Sequence, residues 1–190
     1  SSRELYVSVQ HTIPSDTVCY PAKLLHGHIE SLISQGVKNI FYPCMSYNID
    51  EKLGVNNYNC PVVAYYPEVI RSNVGELKKL NFMNDYLGLH RPKDFSKKIY
   101  SNLCNKFGSI SFDEDKNASD KAYDEYHNYM KKIHHKGLEY LKEAKENDKP
   151  VIVLCGRPYH LDEEINHGID KLICECSSTV ITEASFSPLV

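Results

Sequence analysis

Cys19-Tyr20-Pro21-Ala22-Lys23-Leu24-Leu25-His26-Gly27-His28-Ile29-Glu30-Ser31-Leu32-Ile33-Ser34-Gln35-Gly36-Val37-Lys38-Asn39-Ile40-Phe41-Tyr42-Pro43-Cys44 is the stretch that decides the fold class. Pro21 suits the first position of a helix, where its missing N–H costs nothing. Leu24, Leu25, His28, Ile29, Leu32 and Ile33 then recur at helical spacing and form one apolar face. Gly36 ends the helix, and Val37–Tyr42 follows as a buried strand. Upstream, Leu5–Gln10 offers the β-formers Tyr6, Val7 and Val9 and reads as a strand before the loop His11–Asp16. The first 44 residues therefore read as a β-α-β unit.

Outward from it, Met45–Asn59 is a polar, Asn-rich loop. Val62–Tyr66 reads as a strand stopped by Pro67, and Asn73–Tyr86 and Asp94–Phe107 as helices. Asp113–Asp120 reads as a charged linker and Ala122–Asn147 as a long charged helix, ended by Asn147-Asp148-Lys149-Pro150. Val151-Ile152-Val153-Leu154 is a continuous aliphatic run, as in parallel strands covered on both faces. A short helix over Glu163–Cys174 and a strand over Thr179–Thr182 complete a second β-α-β unit. The expectation is an α/β fold, three-layered, with a mainly parallel sheet built from β-α-β units and a helical insertion. Its divisions are 1–72, an α/β unit carrying Cys19, Cys44 and Cys60; 73–149, the helical insertion; and 150–190, a truncated second β-α-β unit.

The 190 residues are 42% hydrophobic, enough for a sizeable core. The net charge of −3 carries no basic field for nucleic acid. No apolar run approaches the roughly 20 residues of a membrane span. Seven cysteines at irregular spacing, without a signal-peptide pattern, point to free or metal-bound thiols in the cytoplasm rather than to a disulfide framework. The opening Ser1-Ser2-Arg3-Glu4 reads as the start of an internal fragment.

Chemistry-bearing residues gather at element ends. Cys19 precedes a helix, whose dipole and free amides favour a thiolate. Cys44 ends a strand of the same β-α-β unit, so the two should be neighbours beyond one sheet edge, where α/β proteins build sites. Cys60 joins them only if the loop Met45–Asn59 folds back. The C-x24-C-x15-C spacing is no compact cluster motif, and a buried structural role remains the plain alternative for each thiol. His28, on the apolar face, reads as a core histidine, His26 as core or ligand, and His134-His135 as solvated. Cys155-Gly156-Arg157-Pro158-Tyr159-His160 lies between a strand and a helix, a location suited to an anion. Arg157 and His160 are its candidate cofactor-binding residues; the alternative for Arg157 is a structural tie. Cys155 with His160, or Cys19 with His26, would serve as nucleophile and base, but no third, orienting group is evident. Neither G-x-G-x-x-G nor G-x-x-x-x-G-K-[ST] occurs, so no nucleotide fingerprint is present.

Cys19-Tyr20-Pro21-Ala22-Lys23, His26-Gly27-His28, Phe41-Tyr42-Pro43-Cys44, Tyr58-Asn59-Cys60-Pro61, Tyr66-Pro67-Glu68-Val69-Ile70, Gly156-Arg157-Pro158-Tyr159-His160 and Glu164-Ile165-Asn166-His167-Gly168-Ile169 resemble a module of the 2-hydroxyacyl-CoA dehydratase activase-related proteins (2-hydroxyglutaryl-CoA dehydratase activators). The resemblance thins between Asn84 and Lys149, and departs near Cys174-Glu175-Cys176-Ser177-Ser178, where Gly is expected. It implies a part of a multidomain protein of anaerobic metabolism, outside the ATPase part, whose motifs are absent. It also implies a [4Fe–4S] iron–sulfur cluster held by three thiolates, with Cys19 and Cys44 similar to two ligands, Cys60 the third and Cys155 in reserve. The role that follows is low-potential electron transfer for dehydration of a CoA thioester, with the cluster lost on aerobic purification. The implied partners are the other domains of the same chain and an activase ATPase dimer. A cofactor-free docking module is the alternative.

Overall fold

The strand expected at Val37–Tyr42 is present as β1 (Asn39–Phe41) and opens a parallel ribbon. The structure is a computed structural model that describes residues 2–52, 54–108 and 110–186. Contacts divide the chain into two units, Ser1–Asn117 and Ala118–Val190.

In the first unit β1 pairs with β3 (Asn81–Met83), and β2 (Cys44–Tyr47) pairs with β4 (Tyr86–Gly88), both parallel. Between the pairs, the Tyr42 N–H donates to the Met83 carbonyl at 2.9 Å and the Cys44 N–H to the Asp85 carbonyl at 3.0 Å. The pairs thus form one ribbon interrupted at Pro43, which has no N–H to give. Helices α2 (Tyr20–Ser34) and α3 (Pro61–Asn73) supply the core with the ribbon: Ala22 and Ile29, Tyr66 and Ile70, Val74, Leu77, and Ile40 and Phe82 from the strands. Each large apolar side chain buried there contributes about 1.5–3 kcal/mol.

Several expected elements are corrected. Leu5–Gln10 is not a strand: α1 (Ser2–Ser8) is followed by a 3-10 turn at Gln10–Thr12. Helix α1 lies so close on α2 that a Cβ on Gly27 would sit 2.8 Å from the Leu5 and Tyr6 backbone, and this packing overrides the β-propensity of Tyr6, Val7 and Val9. The opening is therefore α-α-β, and β1 finds its partner in β3. Val62–Tyr66 is helical, within α3; Pro67 lies buried inside that helix rather than ending it. Asn73–Tyr86 holds a 3-10 turn (Gly75–Lys79), β3 and the start of β4.

Helix α4 (Pro92–Phe107) stands where expected, but Asp113–Asp120 is no linker; it lies in α5 (Phe112–Glu146). A capping box starts α5: Ser111 Oγ accepts the Glu114 N–H at 3.2 Å, and the Glu114 carboxylate accepts the Ser111 N–H at 3.0 Å.

In the second unit β5 (Val151–Leu154) and β6 (Thr179–Thr182) pair in parallel at the expected residues. The single helix expected over Glu163–Cys174 is two, α6 (Glu163–Asn166) and α7 (Ile169–Glu175), because His167 and Gly168 adopt left-handed φ values of 55° and 73°. A last short helix, α8 (Glu183–Phe186), follows β6. The whole is a mixed helix and strand architecture with parallel strand pairs, as the α/β class requires. Among the described residues no helix is long and apolar enough to cross a membrane.

Candidate functional site

Cys19 and Cys60 occupy the same local position on two helices. Each is an N-cap in extended conformation, with φ and ψ of −60° and 151° at Cys19 and −61° and 154° at Cys60, and each has a proline in the turn that follows. The Cys60 sulfur accepts the Val63 N–H at 3.5 Å. Both sulfurs thus sit at helix starts, where backbone N–H groups lack intrahelical partners.

Cys60 comes to β2 because the Asn-rich loop folds back. Tyr58 bridges Tyr47 in antiparallel sense. The Asn48 N–H donates to the Asn57 carbonyl and the Asn59 N–H to the Ser46 carbonyl, each at 3.0 Å, and the Asn59 amide donates to the Met45 carbonyl at 2.8 Å. The returning strand of chain leads directly to Cys60.

Cys44 is the first residue of β2 and has no exposed surface. Burial pushes its thiol up, helped by the nearby charges of Glu68 and then Asp85, while hydrogen bonds from the Glu68 backbone and the Tyr86 hydroxyl pull the other way. Tyr86 is itself pushed up to about 12, chiefly by its hydrogen bond to the Glu68 carboxylate. Tyr42 joins the environments of two thiols: burial drives its phenol far up, and the charges of Tyr66, Cys44 and Cys19 add to this.

Behind Cys19 lies a buried polar chain. His26 is 1% exposed; its Nδ1 is 2.8 Å from Thr12 Oγ1 and its Nε2 is 3.0 Å from the Tyr66 hydroxyl. Thr12 gives its only hydroxyl proton to the Val9 carbonyl at 2.8 Å. His26 Nδ1 must therefore be the donor to Thr12, which leaves Nε2 to accept from Tyr66. Burial holds the imidazole below its ordinary pKa, and the Cys19 charge adds to the burial that raises Tyr66. His28, expected in the core, is exposed, and His26 takes that role. The buried stripe of α2 runs through Ala22, His26 and Ile29, one turn of face away from Leu24 and Leu32.

Among the described residues no group of three or more His, Cys, Asp or Glu side chains is arranged to hold a metal ion. At the carboxyl end of β5, the Arg157 N–H donates to His160 Nδ1 at 3.0 Å. The His160 ring lies over Gly156, where a Cβ would come within 2.5 Å of Nδ1. His160 is thus occupied at Nδ1 as the cap of a 3-10 turn (Pro158–Leu161). The Arg157 side chain is exposed and forms no ion pair among the described residues. Tyr42, Tyr66, Tyr86 and Glu68 were not singled out by sequence; fourteen scattered tyrosines carry no positional signal.

The chain belongs to the family described as the CoA enzyme activase uncharacterised domain, whose family model matches residues 1–186. No curated protein and no solved structure matches it.

Proposed function

We propose that this domain presents Cys19, Cys44 and Cys60 as thiolate ligands to an iron–sulfur cluster in a CoA enzyme activase-type protein. The role is low-potential electron transfer supporting dehydration of a CoA thioester. The observation that carries the reading is the matching pair of extended N-caps at Cys19 and Cys60, on the two helices that pack with the ribbon holding Cys44. The fold-back that delivers Cys60 beside β2 supports the third ligand. The donor set is soft sulfur, the chemistry suited to iron–sulfur clusters, which when bound supply one-electron transfer. The chain's own part is to hold Cys19 and Cys60 at helix N-caps and to pack Tyr42 and Tyr86 around Cys44. Arg157 and His160, at the carboxyl end of β5, are the proposed contacts for an anionic group. The other domains of the protein and an activase ATPase dimer are the proposed partners.

Anaerobic reconstitution with iron and sulfide tests the reading. The expected result is about four irons per chain with brown colour. Cys19→Ala and Cys44→Ala should each abolish uptake, and the exposed Cys176→Ala should not. Equal uptake by wild type and Cys19→Ala overturns it. A cofactor-free docking module is the second reading, favoured by the burial that raises the Cys44 thiol; no iron uptake by the wild type would support it instead.

A further inference from the structure

At the carboxyl end of the parallel ribbon three rings stack. Tyr47, the last residue of β2, lies 4.1 Å from the Tyr58 ring and 4.6 Å from the His90 ring, both tilted by 38°. His90 is held there by Gly88, where a Cβ would approach its ring within 2.9 Å. The Leu89 N–H, donating to the Tyr47 carbonyl at 3.0 Å, ties the two strand ends together. Tyr58 ends the stack, one face against Tyr47, with 63% of its surface exposed. His90 Nδ1 is buried with no hydrogen-bond partner among the described residues.

Beside Tyr58 the Asn-rich loop encloses an open cavity of about 310 Å³, lined by Asn48, Ile49, Glu51, Asn56, Tyr58 and Asn59 among others. Its size is at the lower end of small-molecule sites, and its place, outside the carboxyl ends of parallel strands, is where such sites form. The amides of the lining are half used. Asn48 Oδ1 accepts the Ile49 N–H at 2.8 Å, and Asn56 Oδ1 accepts the Tyr58 N–H at 2.9 Å. Asn59 gives one amide proton to the Met45 carbonyl. That leaves the amide donors of Asn48 and Asn56 and the carbonyl acceptor of Asn59 for a ligand. The nearby cations are matched, Lys52 by Asp50 and Arg91 by Asp94, so nothing in the lining calls for a phosphate. A flat π-face flanked by neutral donors and an acceptor suits a neutral heteroaromatic ring with polar edges.

We propose that this cavity binds a purine base, stacked on the exposed Tyr58 ring with its edge hydrogen-bonded by Asn48, Asn56 and Asn59. The site uses no cysteine, so it stands or falls separately from iron uptake.

Saturation-transfer NMR on the full chain tests it, with adenosine as the probe and free ribose as the control. Adenosine should receive saturation on its base protons more than on its ribose protons, and ribose alone should receive none. Tyr58→Ala should weaken adenosine binding by about tenfold, and Tyr58→Phe, which keeps the stacking face, by no more than about twofold. Asn56→Ala should weaken it by a few-fold. Far-UV circular dichroism checks that each variant folds. Should Tyr58→Ala not fold, the wild-type saturation pattern and Tyr58→Phe decide. Absence of transfer at millimolar adenosine, transfer confined to ribose, or a Tyr58→Ala affinity equal to wild type overturns the proposal.

Discussion

Replacing His26 by Leu should destabilise the protein by about 2–4 kcal/mol. The imidazole makes two buried hydrogen bonds, at 2.8 Å to Thr12 and 3.0 Å to Tyr66. Each contributes about 1 kcal/mol net. Thr12 keeps its bond to the Val9 carbonyl, but Tyr66, 4% exposed, loses the acceptor of its hydroxyl. An unpaired buried hydroxyl adds about 1–3 kcal/mol, and the better apolar transfer of Leu offsets part of the total. Tyr66→Phe alone should cost about 1–2 kcal/mol, and the double variant should cost less than the sum by about 1 kcal/mol, because no orphaned partner remains.

Urea unfolding followed by far-UV circular dichroism measures all three. A His26→Leu cost below about 1 kcal/mol, or strict additivity with Tyr66→Phe, would refute the network. The same histidine sets a pH dependence. Its folded pKa is lowered by burial, so on acidification the unfolded chain, with a pKa near 6.5, takes up the proton first. The His26 contribution is complete above about pH 7 and is lost as pH falls through the folded value. Wild type should lose stability between about pH 7 and pH 5 more steeply than His26→Leu.

Gly27→Ala should destabilise by about 1–3 kcal/mol, because the added methyl meets rigid backbone at 2.8 Å; this outweighs the roughly 1 kcal/mol gain in helix propensity. A higher urea midpoint for Gly27→Ala would show that α1 does not pack there. Among the thiols, the exposed Cys155, Cys174 and Cys176 should react first with a disulfide reagent. Cys44, without exposed surface and with its thiol held protonated, should react only on unfolding; mass mapping of early-labelled peptides would expose an error if Cys44 appeared among them.

The strands of the second β-α-β unit were legible residue for residue, because continuous aliphatic runs such as Val151–Leu154 have few other uses. The first unit was legible in its centre: α2 and β1 stand where Pro21, Gly36 and Val37–Tyr42 put them. Its flanks were not. The segment holding Tyr6 and Val7 is helical and packs against Gly27, about twenty residues away, a contact no local pattern records. The charge of Asp113–Asp120 imitates a linker, although Ser111-Phe112-Asp113-Glu114 spells the capping box that starts α5.

The candidate site follows the same division between local and distant causes. Cys60-Pro61 carries the same helix-start signal as Cys19-Tyr20-Pro21, an extended cap followed by proline, and the two caps agree within a few degrees. The β-branched Val62 and Val63 mask it, because their strand propensity competes with the cap signal. Once α3 is a helix, the fold-back of Met45–Asn59 follows: the chain must return from the end of β2 to start a helix that packs on that strand. Cys60 is therefore placed by a cap that Val62 and Val63 hide, and Cys44 by the start of β2 rather than by the end of a strand. The tyrosines between them were not readable, since Tyr42 and Tyr66 are adjacent to thiols only after α2 and α3 have packed on the ribbon.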